Sequence, residues 1–486
     1  MALSEDLFFL DPAFEGSLQS QIRQIVASAI LSRRFLPGER LPSSRKLAKH
    51  LGISRITVTL SYQELVADGY LATRSRSGYF VADDAPTSAF DGTTADRTDK
   101  VDWSAALQRR YTGAPMVAKC FNWQSYPYPF IYGQADPQLF SHSNWRLCAH
   151  QALGKKEFDS LTSDYAEEDD AQLIDFIARH TLTRRGIQAN RDQILLTVGA
   201  QNALWMVGQL LLGKGRKAAF ENPGYPGVRD ILRHTECALA PVDIDENGMI
   251  PDLVPPDTDV IFTTPSHHAP TAATMPMARR HALLEMASAQ DMIVVEDDYE
   301  FEMSFLNAPS PALKSLDTEG RVIYVGSFSK SLFPGLRLGY LVGSEPLIRQ
   351  ARALRTTVLR HPPGHMQRTT ANFLALGHYD ALIRRMKDAY FERRQVMAKA
   401  LADHELTVAG SASFGGSSFW MRAPDHVDTV DLARLLKAEE VLIEPGAPFF
   451  EGPNAPKNHF RLAYSSIDSR MIPKGISIIS KTIRNF

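Results

Sequence analysis

The stretch 292–337 constrains this chain more than any other. Residues 292–295 and 322–325, Met-Ile-Val-Val and Val-Ile-Tyr-Val, are short apolar runs of the kind that form strands buried on both faces. Each runs straight into ionisable residues: Glu296-Asp297-Asp298-Tyr299 closes the first, and Ser327, Lys330 and Arg337 follow the second. An open α/β sheet binds ligands just beyond the carboxyl ends of its strands, so both clusters lie where a site belongs.

The chemistry that fits these residues is a Schiff base. A lysine amine condenses with an aldehyde, and a carboxylate opposite keeps a pyridine nitrogen protonated. Ser327 and Arg337, on either side of Lys330, suit a phosphate, which arginine grips through two parallel hydrogen bonds. A lysine after a strand, taken alone, reads as a solvated charge; the ordered set does not. Ser327-Phe-Ser-Lys330 also satisfies the Ser-x-x-Lys of penicillin-binding enzymes. That family needs Ser-Asp-Asn and Lys-Thr-Gly partners, and the nearest matches, at 163–165 and 481–483, read Ser-Asp-Tyr and Lys-Thr-Ile. The set resembles instead the fold-type-I aminotransferases, which bind pyridoxal 5'-phosphate (PLP). The resemblance implies Lys330 as the imine lysine, Asp297 at the pyridine nitrogen and Tyr299 at the ring oxygen.

Further segments extend the likeness. A strand at 193–198 leads into Gly199-Ala200-Gln201, opening a helix whose free backbone N–H groups make a phosphate cradle. Tyr225, after a strand at 217–220, matches the aromatic that stacks on the cofactor ring. Tyr165 matches a tyrosine that reaches a phosphate across a dimer, and from it a helix with Leu173, Ile174, Phe176 and Ile177 inward is expected. Arg461, in Asn-His-Phe-Arg-Leu, matches the arginine that grips a substrate carboxylate. Three departures stand out: Ala269 replaces a ring-oxygen Asn, Ala272 a glycine, and Asp169-Asp170 the usual glycine ahead of that helix. His267-His268 makes no metal site, because chain neighbours point apart and no third ligand is spaced for zinc.

The front of the chain is different. Leu18, Ile22, Ile25, Val26, Ala29 and Ile30 recur at helical spacing up to Pro37-Gly38. A second helix, with Ser44 as its N-cap, ends at Gly52, and Ser54 caps a third over 55–67 with Val58, Tyr62 and Leu65 inward. Strands at 70–73 and 78–81 bracket Arg74-Ser-Arg76-Ser. Helix, tight turn, helix and basic-tipped hairpin make a winged helix-turn-helix. Ser54, Arg55, Thr57 and Thr59 are expected toward the major groove, Arg55 reading a base edge, while Arg45, Arg74 and Arg76 grip phosphates. Residues 1–82 carry ten Lys/Arg against seven Asp/Glu, within a chain of net charge −2, which permits a nucleic-acid surface there. Pro-Gly-Glu-Arg-Leu-Pro-Ser-Ser-Arg, Gly-Ile-Ser-Arg-Ile-Thr-Val and Asp-Gly-Tyr-Leu closely resemble the GntR-type DNA-binding domain.

The organisation expected is a winged head at 14–82, a polar tether at 83–117 without helical or strand period, and an α/β PLP-binding body at 118–486. Three cysteines without paired spacing, no basic stretch ahead of the short apolar run at the amino terminus and no membrane-length apolar run fit a cytoplasmic protein. A GntR-type head on an aminotransferase-like body resembles the MocR-type bacterial transcription regulators. That resemblance implies a homodimer on double-stranded operator DNA that senses a small amino acid or amine by imine exchange at Lys330. The competing class is an active transaminase or decarboxylase that has gained a head. A DNA-binding protein whose body only dimerises would be expected to lack Lys330 or Asp297, and both are present.

Overall fold

The computed structural model describes residues 3–74, 78–86, 101–108, 111, 120–133, 136–162 (without the side chains of 159 and 160), 167–307, 310–411 and 414–486. The chain divides into two compact units, Met1–Arg110 and Tyr111–Phe486.

In the first unit, α1 (Leu18–Leu31), α2 (Ser44–Leu51) and α3 (Arg55–Ala67) precede a hairpin of β1 (Leu71–Arg74) and β2 (Gly78–Val81). Ser17, Ser43 and Ser54 cap the three helices by accepting backbone N–H bonds from Ser20, Lys46 and Ile56. The cap of α2 is thus Ser43, not Ser44. The chain is still extended at Ser43, and its hydroxyl accepts from the third residue onward, one of the two bonds a cap makes. Gly52 ends α2 with φ +66°, a left-handed conformation that glycine adopts without a Cβ clash. Ile22, Val26, Ile30, Leu47, Val58, Tyr62 and Leu65 form the core, and Phe8, ahead of residue 14, packs into it against Phe35 with ring centroids 5.6 Å apart.

The second unit is built on an eight-stranded sheet. Its strands are β3 (Ile194–Thr197), β4 (Lys217–Asn222), β5 (Ala238–Asp245), β6 (Gly248–Met249), β7 (Val260–Thr263), β8 (Ile293–Asp298), β9 (Val322–Ser327) and β10 (Gly339–Val342). They lie in the order β3-β10-β9-β8-β7-β4-β5-β6. The run β9-β8-β7-β4-β5 is parallel, and β10 is antiparallel to both its neighbours. Strands β3, β7 and β9 are buried along their whole length, as a sheet covered on both faces requires. A smaller antiparallel sheet carries Ser418–Arg422, His459–Ala463 and Glu444–Pro445, and a 26-residue helix, His378–Asp403, packs its Tyr379, Leu382, Met386 and Tyr390 into the core. Among the described residues no helix is long and apolar enough to cross a membrane.

The helix expected from Tyr165 begins at Ala171, and Tyr165 itself lies outside the described residues. Asp170 is its N-cap, accepting from Leu173 N at 2.9 Å, so the acidic pair stands ahead of the helix rather than on it. Leu173, Ile174 and Ile177 are buried, while Phe176 is only half-buried. Asp169 accepts from Arg355 Nη1 at 2.6 Å and Arg352 Nη1 at 3.0 Å, so one departure from the family pattern is a buried structural anchor.

Candidate ligand site and DNA-reading face

Strands β8 and β9 lie side by side in parallel, with Asp297 opposite Val325, five residues before Lys330. Strand alternation sends Glu296 and Asp298 to one face and Asp297 to the other. Their surroundings differ accordingly. Glu296 accepts the backbone N–H groups of Leu313 and Lys314, both at 2.8 Å, and Asp298 receives Arg185 Nε at 2.7 Å and the Tyr324 hydroxyl at 2.8 Å. Asp297 Oδ1 is buried and has no hydrogen-bond partner among the described residues. Burial pushes the Asp297 carboxyl up to about 7, reinforced by the charges of Asp298 and Glu221 and opposed by Lys330. An orphaned, proton-ready carboxyl at the edge of a small cavity lined by Tyr225, Thr263 and Thr264 fits a pyridine nitrogen.

The phosphate candidates gather around the start of the next helix. Gly199 has φ +78° and opens α4 (Ala200–Leu211). A Cβ at Gly199 would stand 2.9 Å from Arg337 Nη2, so the missing side chain is what lets that guanidinium lie over the helix start. Arg337 Nη2 donates to the Val198 carbonyl at 3.3 Å. Ser327, buried at the end of β9, accepts the Ser329 N–H at 3.1 Å, and the buried Ser329 hydroxyl has no partner among the described residues. Ala200 and Gln201 form the first turn of α4, and the Tyr225 hydroxyl donates to Gln201 Oε1 at 2.6 Å. Tyr225 and Asp297 line one cavity, and the charges of Asp297, Arg337 and Arg461 all act on Tyr225.

Tyr132 joins the set, and the sequence reading had no signal for it. Lys330 Nζ lies 4.1 Å and Arg461 Cζ 3.9 Å from the centroid of its ring. Its hydroxyl donates to Glu300 Oε2 at 3.2 Å, where His267 Nε2 also lies, 3.1 Å away, and Ser417 donates to the other oxygen. Burial alone would raise the Glu300 carboxyl. Hydrogen bonds from His267 and Ser417, with the Lys330 charge, hold it below the usual range. His267 is thereby committed to a carboxylate, and His268 holds Thr271 Oγ1 at 2.8 Å. Burial and the Glu300 charge raise the Tyr299 phenol well above its ordinary value, keeping it a hydrogen-bond donor. Ala269 is buried and has no side-chain donor to offer, and Ala272 takes φ +59°, a left-handed conformation that favours glycine. Arg461 is not an open cation: Nε and Nη2 both meet Glu444 Oε2 at 2.8 Å.

In the first unit, Ser54, Arg55 and Arg45 are exposed at the starts of α3 and α2, and Arg55 Nε reaches Ser44 Oγ at 3.4 Å. Thr57 and Thr59 are half-buried, and the Thr59 hydroxyl donates to the Arg55 carbonyl at 2.9 Å. At 3.6 residues per turn they fall on the flanks of α3, and the outward face belongs to Ile56 and Leu60, 70% and 42% exposed. Arg74 stacks its guanidinium 4.7 Å from the Phe80 ring and lies 3.8 Å from Asp83. Arg76 lies outside the described residues.

Residues 18–81 match the gntR family of bacterial regulatory proteins, and residues 120–479 match the class I and II aminotransferases. The chain is 55% identical over 484 residues to the HTH-type transcriptional regulator TauR of Rhodobacter capsulatus, covering 100% of both. It is 30% identical to the probable rhizopine catabolism regulatory protein MocR of Rhizobium meliloti, covering 97% of this chain and 94% of that one. The chain belongs to the MocR-type transcription regulators. As in that family, a GntR-type head is joined to a body of the fold-type-I, PLP-dependent aminotransferase class. The body is similar to LysN, an α-aminoadipate aminotransferase of Thermus thermophilus solved with N-(5'-phosphopyridoxyl)-L-leucine, at TM-score 0.71 and 27% identity over 79% of this chain and 99% of that one.

Proposed function

We propose that the body binds PLP at Lys330 and reports an amine effector to the head through exchange at that lysine. The observation that carries this reading is the isolation of Asp297: of three adjacent carboxylates, it alone has no hydrogen-bond partner among the described residues, and the Lys330 charge acts on it. When bound, PLP supplies an aldehyde carbon that condenses reversibly with a primary amine. Asp297 would hold the proton of the pyridine nitrogen, and Tyr299 would donate to the ring oxygen. Tyr225 would cover the ring, and Gly199, Ala200, Gln201, Ser327 and Arg337 would take the phosphate, joined by Tyr165 of a second copy. Lys330 would hold the cofactor as an amine and would be released as the free amine when an effector amine takes its place, with no change of redox state.

The working form in this reading is a cytoplasmic homodimer on a double-stranded operator, with Arg55 at a base edge and Arg45, Arg74 and Arg76 on phosphates. The effector acts by its different affinity for two arrangements of the dimer, a tenfold difference corresponding to about 1.4 kcal/mol. The test is to titrate PLP-loaded protein with amines and amino acids, following absorption, products and operator binding together. A persistent spectral shift with altered operator binding and no keto product supports the sensor. Sustained turnover with an acceptor and no effect on DNA would overturn it. Lys330→Ala should lose both the borohydride-fixed adduct and the effector response; an adduct mapping to another lysine would refute the assignment.

A further inference from the structure

The pairing of Arg461 with Glu444 bears on what the effector can be. The two residues stand directly opposite each other on adjacent antiparallel strands, so sheet register itself brings them together. Both are buried, at 6% and 1% exposure, and the guanidinium lies between the rings of Tyr132 and Phe449, 3.9 and 4.8 Å from their centroids. The arginine offered to the ligand side is therefore already neutralised. Glu444 Oε1 is buried without a hydrogen-bond partner among the described residues, an acceptor left over after the pair has formed.

Lys330 Nζ and Arg461 Cζ flank one ring, which keeps them within about 8 Å of each other. In an α-amino acid the carboxylate carbon is bonded to the carbon that bears nitrogen. An α-amino acid that took the place of the Lys330 amine would bring its carboxylate toward this pair. It would meet a guanidinium whose Nε and Nη2 already lie on Glu444 and would face the Glu444 carboxylate. Breaking the pair instead strands Glu444 as a buried charge. A primary amine with no carboxylate on the amino-bearing carbon meets neither obstacle.

We propose that Glu444 is the specificity-determining residue of the effector site, selecting primary amines that carry no α-carboxylate. This rests on the reading of Lys330 as the exchanging amine. The matched probes are ethylamine and L-alanine, which differ by the α-carboxylate, added to full-length PLP-loaded protein and followed by the shift of the cofactor band. Wild type should respond to ethylamine at a concentration at least tenfold below that for L-alanine. Glu444→Gln should strengthen the L-alanine response tenfold or more and leave the ethylamine response within threefold. A wild-type preference for L-alanine would overturn the proposal without recourse to any variant. So would a folded Glu444→Gln in which both responses fall together at an unchanged ratio, since that is what a purely structural glutamate would give. If the protein shows no borohydride-fixed adduct at Lys330 before any probe is added, the underlying reading fails and takes this one with it. An intact adduct with an unchanged ratio removes the selectivity proposal alone.

Discussion

Arg185 donates from Nε to Asp298 Oδ2 at 2.7 Å, and neither side chain is more than 1% exposed. Arg185 Nη2 also donates to Ser266 at 2.7 Å, so the arginine ties β8 to the loop carrying His267 and His268. A buried pair need not be more stabilising than apolar packing, but removing one partner leaves the other charged and unpaired. Arg185→Ala should destabilise the body by about 3–5 kcal/mol, read from its urea unfolding transition. A loss below about 1 kcal/mol would show that Asp298 needs no counter-charge.

Asp297 makes a pH prediction. Its folded pKa of about 7 lies above its ordinary value of 3.8, so the folded chain holds the extra proton between those limits. The contribution is fully present at acid pH and is lost as pH rises through about 7. At about 1.4 kcal/mol per unit this is on the order of a few kcal/mol. Cofactor-free Asp297→Asn should melt like wild type near pH 4 and at a higher temperature at pH 8, while retaining PLP poorly. Glu296 and Glu302, also raised to about 7, are present in both proteins, so the difference reports what removing the Asp297 carboxyl does. Superimposable Tm profiles would contradict the shift.

Gly199→Ala tests the phosphate cradle. The new Cβ would meet Arg337 Nη2 at a backbone φ of +78° that disfavours alanine. Displacing that guanidinium should weaken PLP binding about tenfold, or about 1.4 kcal/mol, with strain of a similar size in stability. Unchanged PLP affinity by titration would place the phosphate elsewhere.

On the head, Arg55→Ala should lower the preference for operator over random DNA by about 5- to 150-fold, the range of a base contact worth about 1–3 kcal/mol. PLP loading should not change. Arg45→Ala should weaken both DNAs alike and reduce the salt slope by about 1. Anisotropy titrations at several salt concentrations separate the two patterns. Equal loss on both DNAs for Arg55→Ala would reassign it to the phosphates.

Strands, turns and the order of site residues were legible because they depend on local pattern. Apolar runs ending in ionisable residues marked β8 and β9, and serine and glycine punctuation marked α2 and α3. Strand alternation separates Asp297 from Glu296 and Asp298, but the partners that occupy the latter two, Leu313, Lys314 and Arg185, lie elsewhere in the chain and were not legible. Glu300 and Tyr132 were missed for the same reason. Glu444 carries no motif at all, and only cross-strand register sets it against Arg461. Thr57 and Thr59 are half-buried on the flanks of α3, a detail that polarity alone does not show, because helical periodicity turns Ile56 and Leu60 outward.

The alternation along the end of β8 has a genetic consequence. Glu296, Asp297 and Asp298 occupy three neighbouring codons, yet a screen that scores cellular abundance separately from regulation should split them into two phenotypes. Lesions at 296 or 298 would thin out the protein and look like deletions. Lesions at 297 would leave a full complement of molecules still able to occupy the operator but deaf to the signal, and in a dimer such alleles could be dominant.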